Sequence, residues 1–90
     1  LLFRGADLTP EEHIAFSRQF GPLESHVVGE FNLPGHPEIF VVSNVREDDR
    51  PKGAVYAGQY WHSDLSYMKK PSMGSLLLCH EMPEIGGDTM

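Results

Sequence analysis

The sequence predicts a mainly β domain with one leading helix (α+β), and three features of the chain support this fold class. A helix start stands at residues 9–12, a β-branched and aromatic run follows at 38–45, and an apolar run follows at 74–80. Long loops separate these elements. Strands joined in this way are typical of a jelly-roll barrel, which encloses a site between two sheets. We therefore expect a helix packed on a jelly-roll sheet.

The leading helix is predicted over residues 10–19 by its start and end signals. Thr9 can cap the helix, Pro10 suits the first helical position, and Glu12 completes a Thr-x-x-Glu capping box. An apolar stripe follows until the Gly-Pro pair at 21–22 ends the helix. This stripe indicates that the helix covers one side of a sheet.

Strands and loops follow from residue type. Residues 38–45 and 74–80 are predicted as strands because they are rich in Val, Ile, Phe and Leu. Residues 33–37 hold two prolines around a glycine, and residues 46–53 are dense in charge. Both of these segments are predicted as loops.

Composition and charge exclude several classes of function. The formal net charge is -6 and the 7 basic residues are scattered, which argues against nucleic-acid binding, since phosphate contacts need clustered Lys and Arg. No apolar run approaches the roughly 20 residues that span a bilayer, so no membrane partner is predicted. The single cysteine, Cys79, excludes an internal disulfide and fits a reducing compartment, so we expect a cytoplasmic protein.

The segment 60–66 carries the residues with the clearest chemistry. It is predicted as a strand, with a tight turn able to begin after Asp64. Side chains two apart on a strand share a face, so His62 and Asp64 would lie side by side while Trp61 packs in the core. An imidazole and a carboxylate are two of the three ligands of the facial Fe(II) site. The plainer alternative is a structural or surface pair without metal, because this spacing is common.

Taken together, the motifs resemble the taurine dioxygenase-like family of Fe(II)- and 2-oxoglutarate-dependent oxygenases. The resemblance lies in Trp-His-x-Asp at 61–64, a downstream proline, a small and apolar strand, and Pro-x-x-Gly-Gly-Asp-Thr at 83–89. Residues 3–5 and 20–23 look like that family's opening segment, so the likeness covers nearly the whole chain. It implies a double-stranded β-helix, which is the jelly roll under another name.

The resemblance also implies roles for individual residues. His62 and Asp64 would hold Fe(II), and Thr89 would donate a hydrogen bond to the distal carboxylate of 2-oxoglutarate. The third metal ligand, a histidine, and the arginine that clamps 2-oxoglutarate belong to the family's C-terminal part and are expected beyond Met90. Without the family, Thr89 would be taken for an ordinary strand residue.

The other histidines do not stand in a matching context. We expect His13 and His36 to be exposed, and His26 shows no ligand motif. His80 is the nearest rival for the third ligand. It follows the apolar run directly, however, and we interpret it as structural or exposed.

Residues 1–90 are expected to be the N-terminal portion of a single dioxygenase domain whose C-terminal part is missing, because the chain starts and stops within apparent strands. The expected parent enzyme uses Fe(II), 2-oxoglutarate and O₂ on a small organic-acid-type substrate and releases succinate and CO₂. The fragment alone should be inactive. Sulfonates, aryloxyacids, alkyl sulfates and betaine-type acids all fit as substrates, and a homo-oligomer is compatible with the sequence. The alternative is a non-catalytic cupin-like module that binds a metal or another ligand.

Overall fold

The computed structural model describes residues 1–25 and 29–86 of the chain. Two residues of the sequence analysis, His26 and Thr89, lie outside these ranges. The described residues form one α-helix, a 3₁₀ turn at Gly29–Phe31 and four short strands. The elements are α1 (Pro10–Arg18), β1 (Asn32–Leu33), β2 (His36–Phe40), β3 (Arg46–Glu47) and β4 (Arg50–Pro51).

Helix α1 confirms the helix predicted from the capping box. The Glu12 backbone N–H donates to Thr9 Oγ1 at 3.2 Å, and the Thr9 backbone N–H donates to Glu12 Oε2 at 2.8 Å. An N-cap of this kind stabilises a helix by about 1 kcal/mol. The helix ends at Arg18, one residue earlier than predicted, and Gln19 is its C-cap.

Strands β1 and β2 form an antiparallel hairpin around Pro34 and Gly35. Proline fixes φ at the first corner of the turn, and Gly35 has φ 79°, a combination typical of a type II turn. The loop predicted over 33–37 is therefore confined to two residues. The strand predicted over 38–45 lies instead at His36–Phe40, because the hairpin partner is available only there.

Helix α1 packs on strand β2 through two pairs of side chains. Glu11 Oε1 lies 3.0 Å from His36 Nε2, and Arg18 Nη2 lies 3.5 Å from Glu38 Oε1. Glu11 and Arg18 are seven residues apart, about two helical turns, so they lie on the same face of the helix. His36 and Glu38 are two residues apart, so they lie on the same face of the strand. The helix therefore packs on a sheet that contains the first part of the predicted 38–45 strand, whereas the 74–80 run does not belong to that sheet.

The packing of the helix corrects two expectations about histidines. The His36 side chain is only 23% exposed, because helix α1 covers it, and His13 is half-buried within the helix. The expectation that both are exposed is wrong. The pKa of Glu11 is lowered, first by its own backbone N–H and then by the hydrogen bond with His36.

Phenylalanines supply the apolar contacts of this part of the fold. Phe16 meets Phe3 and Phe20 edge to face, with ring centroids 5.9 and 5.5 Å apart. Phe31 and Phe40 meet across the hairpin at 6.2 Å. Edge-to-face contacts of this kind add about 0.5–1.5 kcal/mol beyond the area that they bury. The apolar stripe predicted along the helix therefore has aromatic partners.

Strands β3 and β4 form a second antiparallel hairpin, so the prediction of a loop over 46–53 is wrong. Asp48 and Asp49 form its two-residue turn, with φ 50° and 60°. Two consecutive positive φ angles are typical of a type I′ turn, which matches the twist of the flanking strands and which Asp tolerates. A segment so dense in charge is typical of a loop, and for that reason the turn was not predicted.

Residue 53 fixes this second hairpin against the chain that leaves strand β2. Gly53 is buried, and a Cβ atom there would lie 2.8 Å from both Ser43 N and Val41 O. The Ala54 backbone N–H donates to Val41 O at 3.0 Å, and Val42 forms an isolated parallel bridge with Ala54. Only glycine permits this close approach of the two backbones.

The strand predicted over 74–80 is not formed. Residues 74–79 are irregular, and no strand of the described chain pairs with them. The run lacks a pairing partner in the described residues, and a strand needs one to satisfy its backbone hydrogen bonds. One helix with short antiparallel strands agrees with the α+β class, while the double-stranded β-helix stays a prediction.

Apolar side chains remain accessible across the described residues. None of the hydrophobic side chains described there is buried, and Trp61 is 88% exposed. The described residues bring no surface over Trp61, so its predicted packing in a core is not formed within them and stays a prediction. Among the helices of the described chain, none has the length and apolar character that a membrane crossing requires.

We predict that Gly53→Ala destabilises the protein, because the new methyl group would overlap two backbone atoms. Overpacking of this kind costs about 1–3 kcal/mol. The matched control is Gly74→Ala, since a Cβ atom at residue 74 meets nothing within 4 Å. Thermal unfolding of both variants checks the prediction. Equal melting temperatures would contradict the packing described for Gly53.

Candidate metal centre

The segment around His62 and Asp64 is a bend followed by a turn, so the prediction of a strand at 60–66 is wrong. The turn spans residues 64–67, Leu65 has φ 51°, and the Met68 backbone N–H donates to Leu65 O at 3.0 Å. A positive φ reverses the chain directly after Asp64, which is the place where a tight turn is anticipated.

His62 and Asp64 nevertheless lie side by side, as the motif predicts. His62 Nε2 is 3.3 Å from Asp64 Oδ1, and the two side chains are 53% and 58% exposed. Two ligands of one metal ion, each about 2.1 Å from it and at right angles, lie about 3.0 Å apart. The distance between these side chains therefore fits a pair of adjacent metal ligands.

The backbone determines which nitrogen of His62 is available. His62 Nδ1 lies 2.7 Å from the Tyr60 carbonyl oxygen. A carbonyl only accepts, so Nδ1 carries a hydrogen, and in the neutral ring Nε2 therefore presents its lone pair toward Asp64. Metal-binding histidines commonly have this arrangement, in which a hydrogen bond at one nitrogen orients the other toward the metal.

Asp64 has a second partner that the sequence analysis missed. Ser75 Oγ donates to Asp64 Oδ2 at 2.9 Å, while Oδ1 faces His62. Ser75 belongs to the irregular stretch 74–79, which therefore reaches the candidate site although it pairs with no strand. No motif marks this serine, because eleven residues and a loop separate it from Asp64.

The described residues do not complete a metal site by themselves. No group of three or more His, Cys, Asp or Glu side chains suitable for a metal occurs within residues 1–25 and 29–86. The rival ligand His80 is exposed and does not join the pair. Thr89, the predicted 2-oxoglutarate contact, lies outside the described residues, and the third ligand expected beyond Met90 stays a prediction.

Residue 58 leaves room beside the histidine ring. Gly58 has φ 79°, and a Cβ atom there would lie 3.4 Å from His62 Cε1. This positive φ is favourable for glycine and strained for residues with a side chain. Gly58 therefore bends the chain closely against the ring of His62.

An open cleft of about 420 Å³ is lined in part by residues 53–57, which lead up to Gly58 in the sequence. Its lining is mainly apolar and includes Phe31, Val55, Tyr56 and Ala57, and its charged member is Arg46. Ala57 directly precedes Gly58, so the chain connects the cleft to the ring of His62. The lining of this cleft therefore combines apolar surface with one cationic side chain.

Comparison with known proteins assigns the chain to a family. The model of the family described as taurine catabolism dioxygenase TauD, TfdA family, matches residues 1–90. The chain is 35% identical to the alpha-ketoglutarate-dependent 2,4-dichlorophenoxyacetate dioxygenase of Cupriavidus pinatubonensis, over 99% of this chain and 34% of that protein.

Two further relatives show similar coverage. The chain is 34% identical to an (S)-phenoxypropionate/alpha-ketoglutarate-dioxygenase of Sphingobium herbicidovorans, over 99% of this chain and 30% of that protein. It is 38% identical to a pentalenolactone F synthase of Streptomyces arenae, over 97% of this chain and 30% of that protein. The chain thus spans about a third of the length of these relatives. No solved structure matches it significantly.

Proposed function

The chain belongs to the taurine catabolism dioxygenase TauD, TfdA family, and on that premise we propose that it is the N-terminal part of an Fe(II)- and 2-oxoglutarate-dependent dioxygenase. The observation that carries the proposal is the 3.3 Å approach of His62 Nε2 to Asp64 Oδ1. The donor set fits iron, because the facial site of non-haem Fe(II) consists of two imidazoles and one carboxylate. The second imidazole would come from chain beyond Met90.

In this proposal His62 and Asp64 would hold Fe(II), and the bound iron would supply the redox chemistry that couples decarboxylation of 2-oxoglutarate to hydroxylation of a substrate. The Tyr60 carbonyl keeps the hydrogen of His62 on Nδ1, so that Nε2 is free to bind. The anionic carboxylate of Asp64 offsets part of the metal's charge. Thr89 would donate a hydrogen bond to the distal carboxylate of 2-oxoglutarate and orient it.

The accessible apolar side chains support the proposal that further chain completes the domain. Large apolar residues that remain exposed in the described chain include Trp61 at 88%, Leu77 at 86% and Ile85 at 92%. A folded domain ordinarily buries a set of large apolar side chains, whereas none of the hydrophobic side chains described here is buried. In the proposed enzyme, the remainder of the double-stranded β-helix covers these side chains.

The cleft before Gly58 supports a narrower substrate class, a small acid with an aromatic or other apolar body. Phe31 and Tyr56 offer apolar surface for the body, and Arg46 offers the cation that a carboxylate needs. Two of the relatives are named for phenoxy acids, which combine these two features. We therefore propose that the enzyme hydroxylates such an acid and releases succinate and CO₂.

The ligand assignment predicts two distinct kinds of variant in the full-length protein. His62→Ala, Asp64→Ala and Asp64→Asn should abolish iron binding and substrate-dependent succinate formation, because each removes a ligand or its charge. Thr89→Ala removes one hydrogen bond to a carboxylate, worth about 1.5–3 kcal/mol. It should therefore raise the 2-oxoglutarate requirement roughly ten- to a hundredfold, while iron binding stays intact.

Iron titration and 2-oxoglutarate saturation curves on each variant check this prediction. His80→Ala is the matched control, a histidine removed from an exposed position outside the pair. It should bind iron like the unmodified protein. Loss of iron in His80→Ala but not in His62→Ala would contradict the assignment. Metal binding without any succinate formation would favour the cupin-like module instead.

The substrate class predicts a role for Arg46. With phenoxyacetate as the probe, Arg46→Gln should raise KM roughly ten- to a hundredfold, because a charge-assisted hydrogen bond of about 1.5–3 kcal/mol is lost. The turnover number should change little. Arg50→Gln is the control, since Arg50 lies on the same hairpin but does not line this cleft. Equal KM values for the two variants would contradict the proposed carboxylate contact.

A further inference from the structure

We propose that Ser75 is a positioning residue that fixes the Asp64 carboxylate so that only one of its oxygens binds the metal. This inference rests on the proposed function. The Ser75 hydroxyl donates to Asp64 Oδ2 at 2.9 Å, and Asp64 Oδ1 lies 3.3 Å from His62 Nε2. The two carboxylate oxygens therefore have separate partners, one a neutral hydroxyl and the other the side chain of the second ligand.

The Asp64 carboxylate needs such a partner because little else restrains it. Its side chain is 58% exposed, and the terminal torsion of an aspartate is broad rather than confined to one narrow well. Without a second contact, the carboxylate could rotate or offer both oxygens to a metal ion. The hydrogen bond from Ser75 defines the plane of the carboxylate and occupies Oδ2.

One-oxygen binding matters for a site that must also accept other ligands. An octahedral ion with three protein ligands keeps three open positions, and a carboxylate that bound through both oxygens would fill one of them. By holding Oδ2, Ser75 preserves that position for the co-substrates. The assignment also gives the irregular stretch 74–79 a role, because it brings the hydroxyl to Asp64.

The two metal ligands are supported in parallel ways. His62 is oriented by the Tyr60 carbonyl at 2.7 Å, and Asp64 is oriented by Ser75 at 2.9 Å. Partners of this kind typically contribute a factor of about 10–100 to metal affinity. The contact from Tyr60 is made by its backbone carbonyl, so substituting its side chain does not remove that contact. The hydroxyl of Ser75 can be removed by substitution, so of the two residues that orient the ligands Ser75 is the one that can be tested.

The test measures the Co(II) and anaerobic Fe(II) dissociation constants of the full-length protein and its variants, together with the visible spectrum of the Co(II) form. Ser75→Ala should weaken metal binding by a factor of about 10–100 and alter the Co(II) absorption bands. Ser75→Thr keeps the hydroxyl and should restore both. Ser72→Ala is the matched control, because Ser72 Oγ also donates to a carboxylate, Glu24 Oε2 at 3.1 Å, away from the metal pair. It should leave metal binding unchanged.

An unchanged metal affinity and Co(II) spectrum in Ser75→Ala would overturn the inference, as would an equal loss in Ser72→Ala. Circular dichroism of each variant separates a loss of metal from a loss of fold. If Ser75→Ala does not fold, the metal affinities of Ser75→Thr and Ser75→Cys are compared instead. Ser75→Thr, which keeps the hydroxyl, should bind metal with full affinity, and Ser75→Cys should not. His62→Ala distinguishes the two proposals. If the unmodified protein binds metal and His62→Ala does not, failure at Ser75 overturns this inference alone; if His62→Ala binds metal normally, the proposed function fails as well.

Discussion

The unprotonated nitrogen of a neutral imidazole and a carboxylate oxygen repel each other at 3.3 Å unless a cation lies between them. His62 Nε2 and Asp64 Oδ1 stand at that distance, and the Tyr60 carbonyl already holds the hydrogen on Nδ1. A proton in the gap gives an exposed ion pair, which contributes about 0–1 kcal/mol. A metal ion in the same gap would use both groups as ligands. The site depends on this constraint, because the backbone directs Nε2 toward an anion.

Backbone features close to His62 and Asp64 keep these two side chains together. Gly58 allows the chain to bend against the His62 ring, and the turn at Leu65 reverses the chain after Asp64. Further away, Gly53 lets the second hairpin lie directly on the chain that follows strand β2. The helix is tied to the same strand by the Glu11–His36 pair. These contacts link the leading helix to the two hairpins, and the chain itself leads from the second hairpin to His62 and Asp64.

Local signals in the sequence predicted the helix and the adjacency of His62 and Asp64. The Thr9 capping box needs only four neighbouring residues. His62 and Asp64 are near neighbours in sequence and do lie together, although a bend and a turn bring them there and not the strand that was predicted. Elements that depend on a distant partner were predicted less well. The run at 74–80 has strand composition but no pairing strand in the described chain, and nothing near Ser75 reveals its bond to Asp64.

The charged hairpin at 46–51 was missed for another reason. Asp48-Asp49 forms its turn where Asn-Gly or Asp-Gly is the usual signal, and charge density alone indicates a loop. The burial of His36 was also not predictable from nearby residues, because the side chain is covered by the helix, which lies far from it in sequence. Sequence patterns predicted contacts between near neighbours, whereas packing between distant segments required the structure.

The most direct test of the account is to locate iron in the full-length protein by anomalous diffraction at the iron absorption edge. The account predicts one iron bonded to His62 Nε2 and to a single oxygen of Asp64, with the other oxygen hydrogen-bonded to Ser75. Iron bound at another position, with His62 and Asp64 left as an ion pair, would contradict it.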